Sequence, residues 1–226
     1  MTESDWECST DPQAMLSFLR ERGTSERKLR LFAVACCRRV QDLLVPKLAE
    51  ALEVAERVAE GFVSPEVRKR FREISFHGGW VMDPSTAHRR GPAKAAVSDA
   101  LSRRAWDAAA GAARRVTSIK ALEEYKFNGQ NWEVALATQA ARLAETVREI
   151  LGNPLHPVPF DESWRTSDVV AIARGMYETR DFGAMPILAD ALQDAGCENT
   201  EVLEHCRGPV NHVRGCFVVD LVLGKM

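Results

Sequence analysis

Cysteine and histidine, two residue types that bind transition metals, concentrate near the end of the chain. Three of the six cysteines and two of the five histidines lie between residues 197 and 216. A zinc site there would use Cys197, Cys206, His212 and Cys216, with His205 beside them. The spacing is not that of a zinc finger, because no two cysteines in the chain are separated by two residues. Since cysteine is also often buried as a small apolar side chain, the sequence favours core thiols over metal ligands.

The turn GPVNHVRG, residues 208–215, is a second candidate site. His212 and Arg214 lie in this glycine-bounded loop, where polar side chains are free to contact a ligand, and His205 is the third candidate of this group. The alternative is that Arg214 caps helix carbonyls or pairs with Asp190 or Asp220.

Nucleophilic catalysis would need a thiol with a neighbouring base and a positive environment. His205 beside Cys206, or Arg214 near Cys216, would meet that need if the fold brought them together. The sequence has no Gly-x-Ser-x-Gly, no His-Glu-x-x-His and no glycine-rich phosphate loop. We therefore assign no catalytic residue, predict no cofactor and keep a cysteine- or zinc-dependent enzyme as an alternative.

Charge is distributed unevenly, with a basic middle and an acidic last quarter. A phosphate-binding patch could form in the basic middle. Its candidate residues are Arg89, Arg90, Arg103, Arg104, Arg114 and Arg115. A net charge of −2 argues against strong non-specific binding of nucleic acid by the whole chain. The same side chains could equally bind the acidic part of the same chain or of a second copy. More often such charges simply form a solvated helix face.

Residues that typically begin or end helices recur along the chain. Proline follows a capping residue at Asp11-Pro12 and Ser64-Pro65, and glycine follows an apolar stripe at Gly61 and Gly196, which are start and stop signals of helices. The sequence predicts an all-α protein: a multi-helix bundle with a C-terminal unit of short helices. The proline-rich connector after Gly152 predicts an N-terminal bundle over 1–151 and a C-terminal unit over 152–226, packed as one globule. Glycines and prolines without periodicity predict an irregular loop over 75–92. Further along the chain, residues 118–127 are predicted to form a separate short helix.

The tail HCRGPVNHVRGCFVVDLVLGK, the segment LADALQDAGC, the turn GNPLHPV and the segment RKLRLFAVACCRR resemble an uncharacterised bacterial family of planctomycete-type paralogues. The resemblance covers both ends of the chain, roughly half of it, and implies no activity, cofactor or partner. Leucine often stands at the position of Cys206 in similar tails, which weighs against a metal-ligand role for that residue.

Composition places the chain among ordinary globular proteins, with 46% apolar and 27% charged residues. The acidic, polar start MTESDWECSTDP is not a secretory signal, and no run is long enough to cross a membrane. Six cysteines without an export signal suit free thiols in the cytoplasm. We therefore predict a non-enzymatic helical interaction or scaffold module, with a protein partner or a second copy of itself and no membrane contact.

Overall fold

The computed structural model describes residues 1–77 and 84–225, while the side chains of residues 76–77 and 84–89 lie outside the description. The described residues form twelve α-helices and two short 3₁₀ helices, at Gln41–Leu43 and Glu162–Trp164, and contain no strand. The predicted all-α fold is therefore confirmed.

The chain divides into two compact units. Residues 8–147 form the first unit, and residues 148–226 form the second together with residues 1–7. The short helix α1, Glu3–Cys8, thus contributes its first residues to the unit that the end of the chain builds.

Seven helices supply the first unit: α2 Pro12–Arg20, α3 Glu26–Arg38, α4 Pro46–Ala59, α5 Pro65–His77, α6 Pro84–Ala100, α7 Ala105–Phe127 and α8 Trp132–Leu151, the last turn of which belongs to the second unit. The Asp11 side chain caps α2 by accepting from the backbone N–H groups of Gln13 and Ala14, an arrangement that satisfies donors left unpaired at a helix start. Helix α3 lies at the centre of this unit and packs against α4, α6 and α7.

Alanine allows α6 and α7 to approach each other closely. Buried alanines on the two helices include Ala93, Ala96, Ala100, Ala105, Ala108, Ala109, Ala112 and Ala113. The approach is tightest at Gly111, where a Cβ atom would lie 2.7 Å from Oδ2 of Asp99 and 2.9 Å from its Cβ. This glycine is required by packing, since the predicted cost of glycine in a helix is offset by the contact that it permits.

Two sequence-based expectations for the middle of the chain are wrong. Residues 75–77 and 84–92 are helical, in α5 and α6, where an irregular loop was expected; residues 78–83 lie outside the description. The predicted separate helix from Ser118 is instead the second half of the continuous helix α7. The proline at position 92 lies inside α6, and because α6 packs against α5 and α7, tertiary contacts outweigh the local preference of proline and glycine for loops.

The second unit is built from α9 Ser167–Thr179, α10 Met185–Asp194, α11 Thr200–Arg207 and α12 Phe217–Leu223. Helix α9 packs against α10 and α12, and α11 packs against α10 and α12, so the four helices surround a shared core. That core contains Val169, Met185, Leu188, Val202 and Val219, all at most 1% exposed. Its small size makes any additional cross-link between the short helices valuable for stability.

Membrane crossing requires a helix that is both long and apolar. None of the helices in residues 1–77 and 84–225 meets both conditions.

Candidate metal centre

Four side chains of the second unit converge from separate segments: Glu149, His205, His212 and Cys216. Glu149 lies in the last turn of α8, and His205 lies in the last turn of α11. His212 belongs to the turn that follows α11, and Cys216 directly precedes α12 as its N-cap residue. Gly215 has a φ of 97°, a left-handed conformation that favours glycine and that turns the chain between these last two residues.

The Glu149 carboxylate lies at the middle of the group. Its Oε1 atom is 3.2 Å from Nδ1 of His212 and accepts a 3.4 Å hydrogen bond from the backbone N–H of Val213. Its Oε2 atom is 3.1 Å from Nε2 of His205, at ion-pair distance but without hydrogen-bond geometry. Nε2 of His205 also lies 3.3 Å from Sγ of Cys216.

Glu149 and Cys216 are buried, and the two histidines are largely shielded from solvent. The exposed fraction is 1% for the Glu149 side chain, 12% for His205 and 6% for His212, and Cys216 is 0% exposed. Nε2 of His212 is buried as well and has no hydrogen-bond partner among the described residues. A buried polar atom without a partner is costly, whereas Nδ1 of the same ring faces the Glu149 carboxylate.

Burial and charge shift the acid–base properties of two members of the group. Burial acts to raise the pKa of Glu149, but the contacts with His205 and His212 outweigh it and hold that pKa below its usual value. Burial, followed by the nearby Glu149 carboxylate, raises the pKa of the Cys216 thiol well above its usual value. The group thus contains an ionised carboxylate beside a thiol that keeps its proton unless a cation displaces it.

The donor atoms have separations that suit a metal ion. One donor from each of the four residues lies within 4.8 Å of all the others. Tetrahedral zinc with bonds of about 2.0–2.3 Å separates neighbouring donors by roughly 3.3–3.8 Å. The closest contacts, at 3.1–3.3 Å, lie at or just below the lower end of this range. A separation of 4.8 Å, the upper limit within the group, would shorten by about 1 Å on binding.

The structure brings two of the four sequence-predicted metal ligands into the group and places the other two in the apolar core. His212 and Cys216 are in the group, and His205, which the sequence placed beside the ligands, is a full member. Cys197 and Cys206 are each 1% exposed and pack in the apolar core of the unit. Burial, followed by the Glu149 carboxylate, raises the pKa of Cys206 to about 12, as expected for a core thiol.

Arg214, which the sequence predicts as a ligand-binding residue, contacts Tyr177 of the same unit. Its Nε–H donates to the backbone oxygen of Tyr177 at 3.0 Å, and its guanidinium lies 4.5 Å from the centre of the Tyr177 ring. That carbonyl is in the last turn of α9, where a cation compensates unpaired carbonyl groups and the helix dipole. The contact matches the capping alternative that the sequence left open.

The arginines of the predicted nucleic-acid patch have different environments. Arg103, Arg104 and Arg114 are exposed, and Arg90 is half-buried. Arg115 is 45% exposed and forms a 2.6 Å ion pair with Asp99, while the side chain of Arg89 lies outside the described residues. Arg104 is the extended N-cap residue of α7, and Arg115 lies within that helix. Nucleic-acid binding stays a prediction.

Glu149 is the member of the group that sequence reasoning missed. Its one signal is electrostatic: a carboxylate in the last turn of a helix opposes the negative end of the helix dipole. Neighbouring Val147 and Ile150 are completely buried, so a charge at position 149 needs a compensating partner that the local sequence does not supply.

Thiol reactivity distinguishes the single exposed cysteine from the others. Cys8 is exposed, and the other five are buried; burial raises the pKa of Cys36 to about 12. At pH 8, well below that value, the buried thiols stay protonated and react slowly. We expect one thiol per chain to react rapidly with a disulfide reagent under native conditions and six after unfolding in guanidinium with a chelator. Two or more fast native thiols would contradict the packing described.

Comparisons with protein-family models, with curated proteins and with solved structures found no match for this chain.

Proposed function

We propose that the second unit binds one zinc ion through Glu149, His205, His212 and Cys216 and that this ion has a structural role. The observation that carries the proposal is the convergence of four donor side chains from separate segments at one buried point. The protein is then a helical module whose C-terminal unit is cross-linked by metal.

The donor set favours zinc over the other common ions. A thiolate and two imidazoles are soft or borderline ligands that zinc prefers, while magnesium and calcium require oxygen ligands. A single carboxylate is compatible with zinc, which accepts Asp and Glu oxygens at about 2.0–2.2 Å. Cobalt(II) has similar preferences and provides a spectroscopic substitute.

A structural role follows from the number and burial of the ligands. Four protein ligands complete a tetrahedral zinc site, whereas catalytic sites keep one position for water or substrate. The His205 side chain, the most exposed of the four, is still only 12% exposed, so little surface remains for a substrate. This supports the non-enzymatic role and weighs against the alternative of a zinc-dependent enzyme.

The biological setting stays as the sequence predicted it. All six cysteines are free thiols, which suits a reducing compartment such as the cytoplasm. Binding to a protein partner or to a second copy also stays a prediction. Four exposed apolar side chains lie around the turn between α7 and α8, namely Tyr125, Phe127, Trp132 and Val134. To test for self-association, these residues are the first to substitute before sedimentation is measured.

Cobalt(II) titration of the metal-free protein tests the proposal. We expect one equivalent to produce the strong visible bands of tetrahedral cobalt and a near-ultraviolet thiolate-to-cobalt band. Cys216→Ala should remove the thiolate band, and His205→Ala should weaken binding and alter the visible bands.

Two matched variants control for general damage to the unit. Cys206→Ala removes another buried thiol, and His156→Ala removes a histidine whose side chain is 65% exposed; both should leave the cobalt spectrum unchanged. Absence of any cobalt band in the wild type would refute the proposal, as would loss of the thiolate band in Cys206→Ala but not in Cys216→Ala.

A further inference from the structure

We infer that Trp6, on the first helix, is a positioning residue for the metal centre, so that docking of α1 and metal binding stabilise each other. The inference rests on the proposed zinc site. It adds that α1, which is far from the ligands in the sequence, influences the affinity of that site for metal. Every residue it involves belongs to the unit formed by residues 1–7 and 148–226.

Trp6 holds the segment that carries Glu149 from both sides. Its side chain is buried, at 1% exposed, and its indole Nε1–H donates to the backbone oxygen of Gly152 at 3.1 Å. In return, Nη1 of Arg148 donates to the backbone oxygen of Trp6 at 3.1 Å. The two hydrogen bonds flank Glu149, one on the residue before it and one three residues after it.

Weaker polar contacts extend the same attachment. Nδ2 of Asn153 donates to Oε1 of Glu3 at 3.2 Å, and Nδ1 of His156 lies 3.9 Å from that oxygen. These groups are exposed, so each contributes little to stability. Trp6 is therefore the residue on which the attachment of α1 depends.

A second path leads from the Trp6 partner to another ligand. Gly152 has a φ of 63°, and a Cβ atom there would lie 3.3 Å from Cγ of Phe217. The Phe217 ring in turn lies 4.4 Å from the His205 ring, centre to centre. The carbonyl that Trp6 binds thus belongs to a residue packed against the ring that supports His205.

These contacts link α1 with two of the four ligands. Groups that orient metal ligands from outside the coordination sphere typically change affinity 10- to 100-fold when they are removed. Coupling between two binding events is reciprocal, so a metal ion that fixes Glu149 and His205 must also strengthen the docking of Trp6.

Trp6→Phe tests the positioning role, because it keeps an aromatic ring and removes the indole N–H. We expect the zinc dissociation constant of the full chain, measured by competition with a chromophoric chelator, to rise roughly tenfold. The visible bands of the cobalt form should shift as well, which a loss of global stability alone would not cause. Trp164→Phe, at a partly buried tryptophan of the same unit, is the control and should leave both quantities unchanged.

Hydrogen exchange of the wild type gives a second measurement that needs no perturbed fold. The Trp6 indole resonance is assigned by its absence in Trp6→Phe, and its exchange should slow when zinc is added. Unchanged affinity and unchanged exchange in a protein that does bind zinc would overturn the inference and leave the proposed zinc site intact. A wild type that binds neither zinc nor cobalt would overturn both.

Discussion

We expect a chelator that removes the proposed zinc ion to lower the free energy of unfolding of the second unit by about 4 kcal/mol, relative to protein in which the free ion is present at roughly 1000 times its dissociation constant. The physical reason is that only the folded chain brings the four donors together, so the binding free energy adds to the stability of the fold. For a unit of this size the melting temperature should fall by roughly 20 °C. Scanning calorimetry with and without chelator measures the change.

The ligand variants show whether this response comes from the proposed site. Cys216→Ala should melt at the same temperature with and without chelator, because it no longer retains the ion. Cys206→Ala should keep the full chelator response, even if truncation of a buried side chain lowers its starting stability. An equal response in Cys216→Ala and in the wild type would contradict the assignment of Cys216 as a ligand.

Alanine at position 111 should destabilise the first unit by about 1–2 kcal/mol. Alanine is the better helix former by about 1 kcal/mol, but its Cβ would lie 2.7–2.9 Å from three side-chain atoms of Asp99. Overpacking of this kind typically costs about 1–3 kcal/mol, and displacement of Asp99 also disturbs its 2.6 Å ion pair with Arg115. Urea unfolding of Gly111→Ala measures the difference from the wild type.

Gly175→Ala is the matched control on a helix where the glycine has no packing role. A Cβ atom at this position in α9 would meet nothing within 4 Å, so only the gain in helix propensity remains. We expect this variant to be more stable by about 0.5–1 kcal/mol. Stabilisation by both alanines would show that α6 and α7 are not in the close contact described here.

The all-α fold was predictable because helix starts and stops follow simple local chemistry. Asp11 before Pro12 and Thr166 before α9 cap their helices through side-chain hydrogen bonds. The continuation of helix into residues 84–92 was not predictable, since Gly91 and Pro92 favour a loop locally. Contacts of α6 with α5 and α7 decide that segment, and such contacts do not follow from local sequence.

The candidate site was predictable only in part, for a related reason. His205, His212 and Cys216 attracted attention because their residue types bind metals and because they are close in the sequence. Glu149 lies 56 residues before His205 and carries an ordinary surface residue type, so only the packed structure places it beside them. The same packing places Cys197 and Cys206 in the apolar core. Their spacing in the sequence could not show whether they are core residues or metal ligands.

Metal analysis of the wild-type chain, purified without a polyhistidine tag and without added metal, shows directly whether the four side chains hold zinc. We expect one zinc ion per chain in the wild type and in Cys206→Ala, and much less than one in Cys216→Ala. No metal in the wild type, combined with no uptake of zinc or cobalt by the folded protein, would contradict the proposed zinc site. The four side chains would then be a buried network in which the Glu149 carboxylate is paired with its two histidine neighbours.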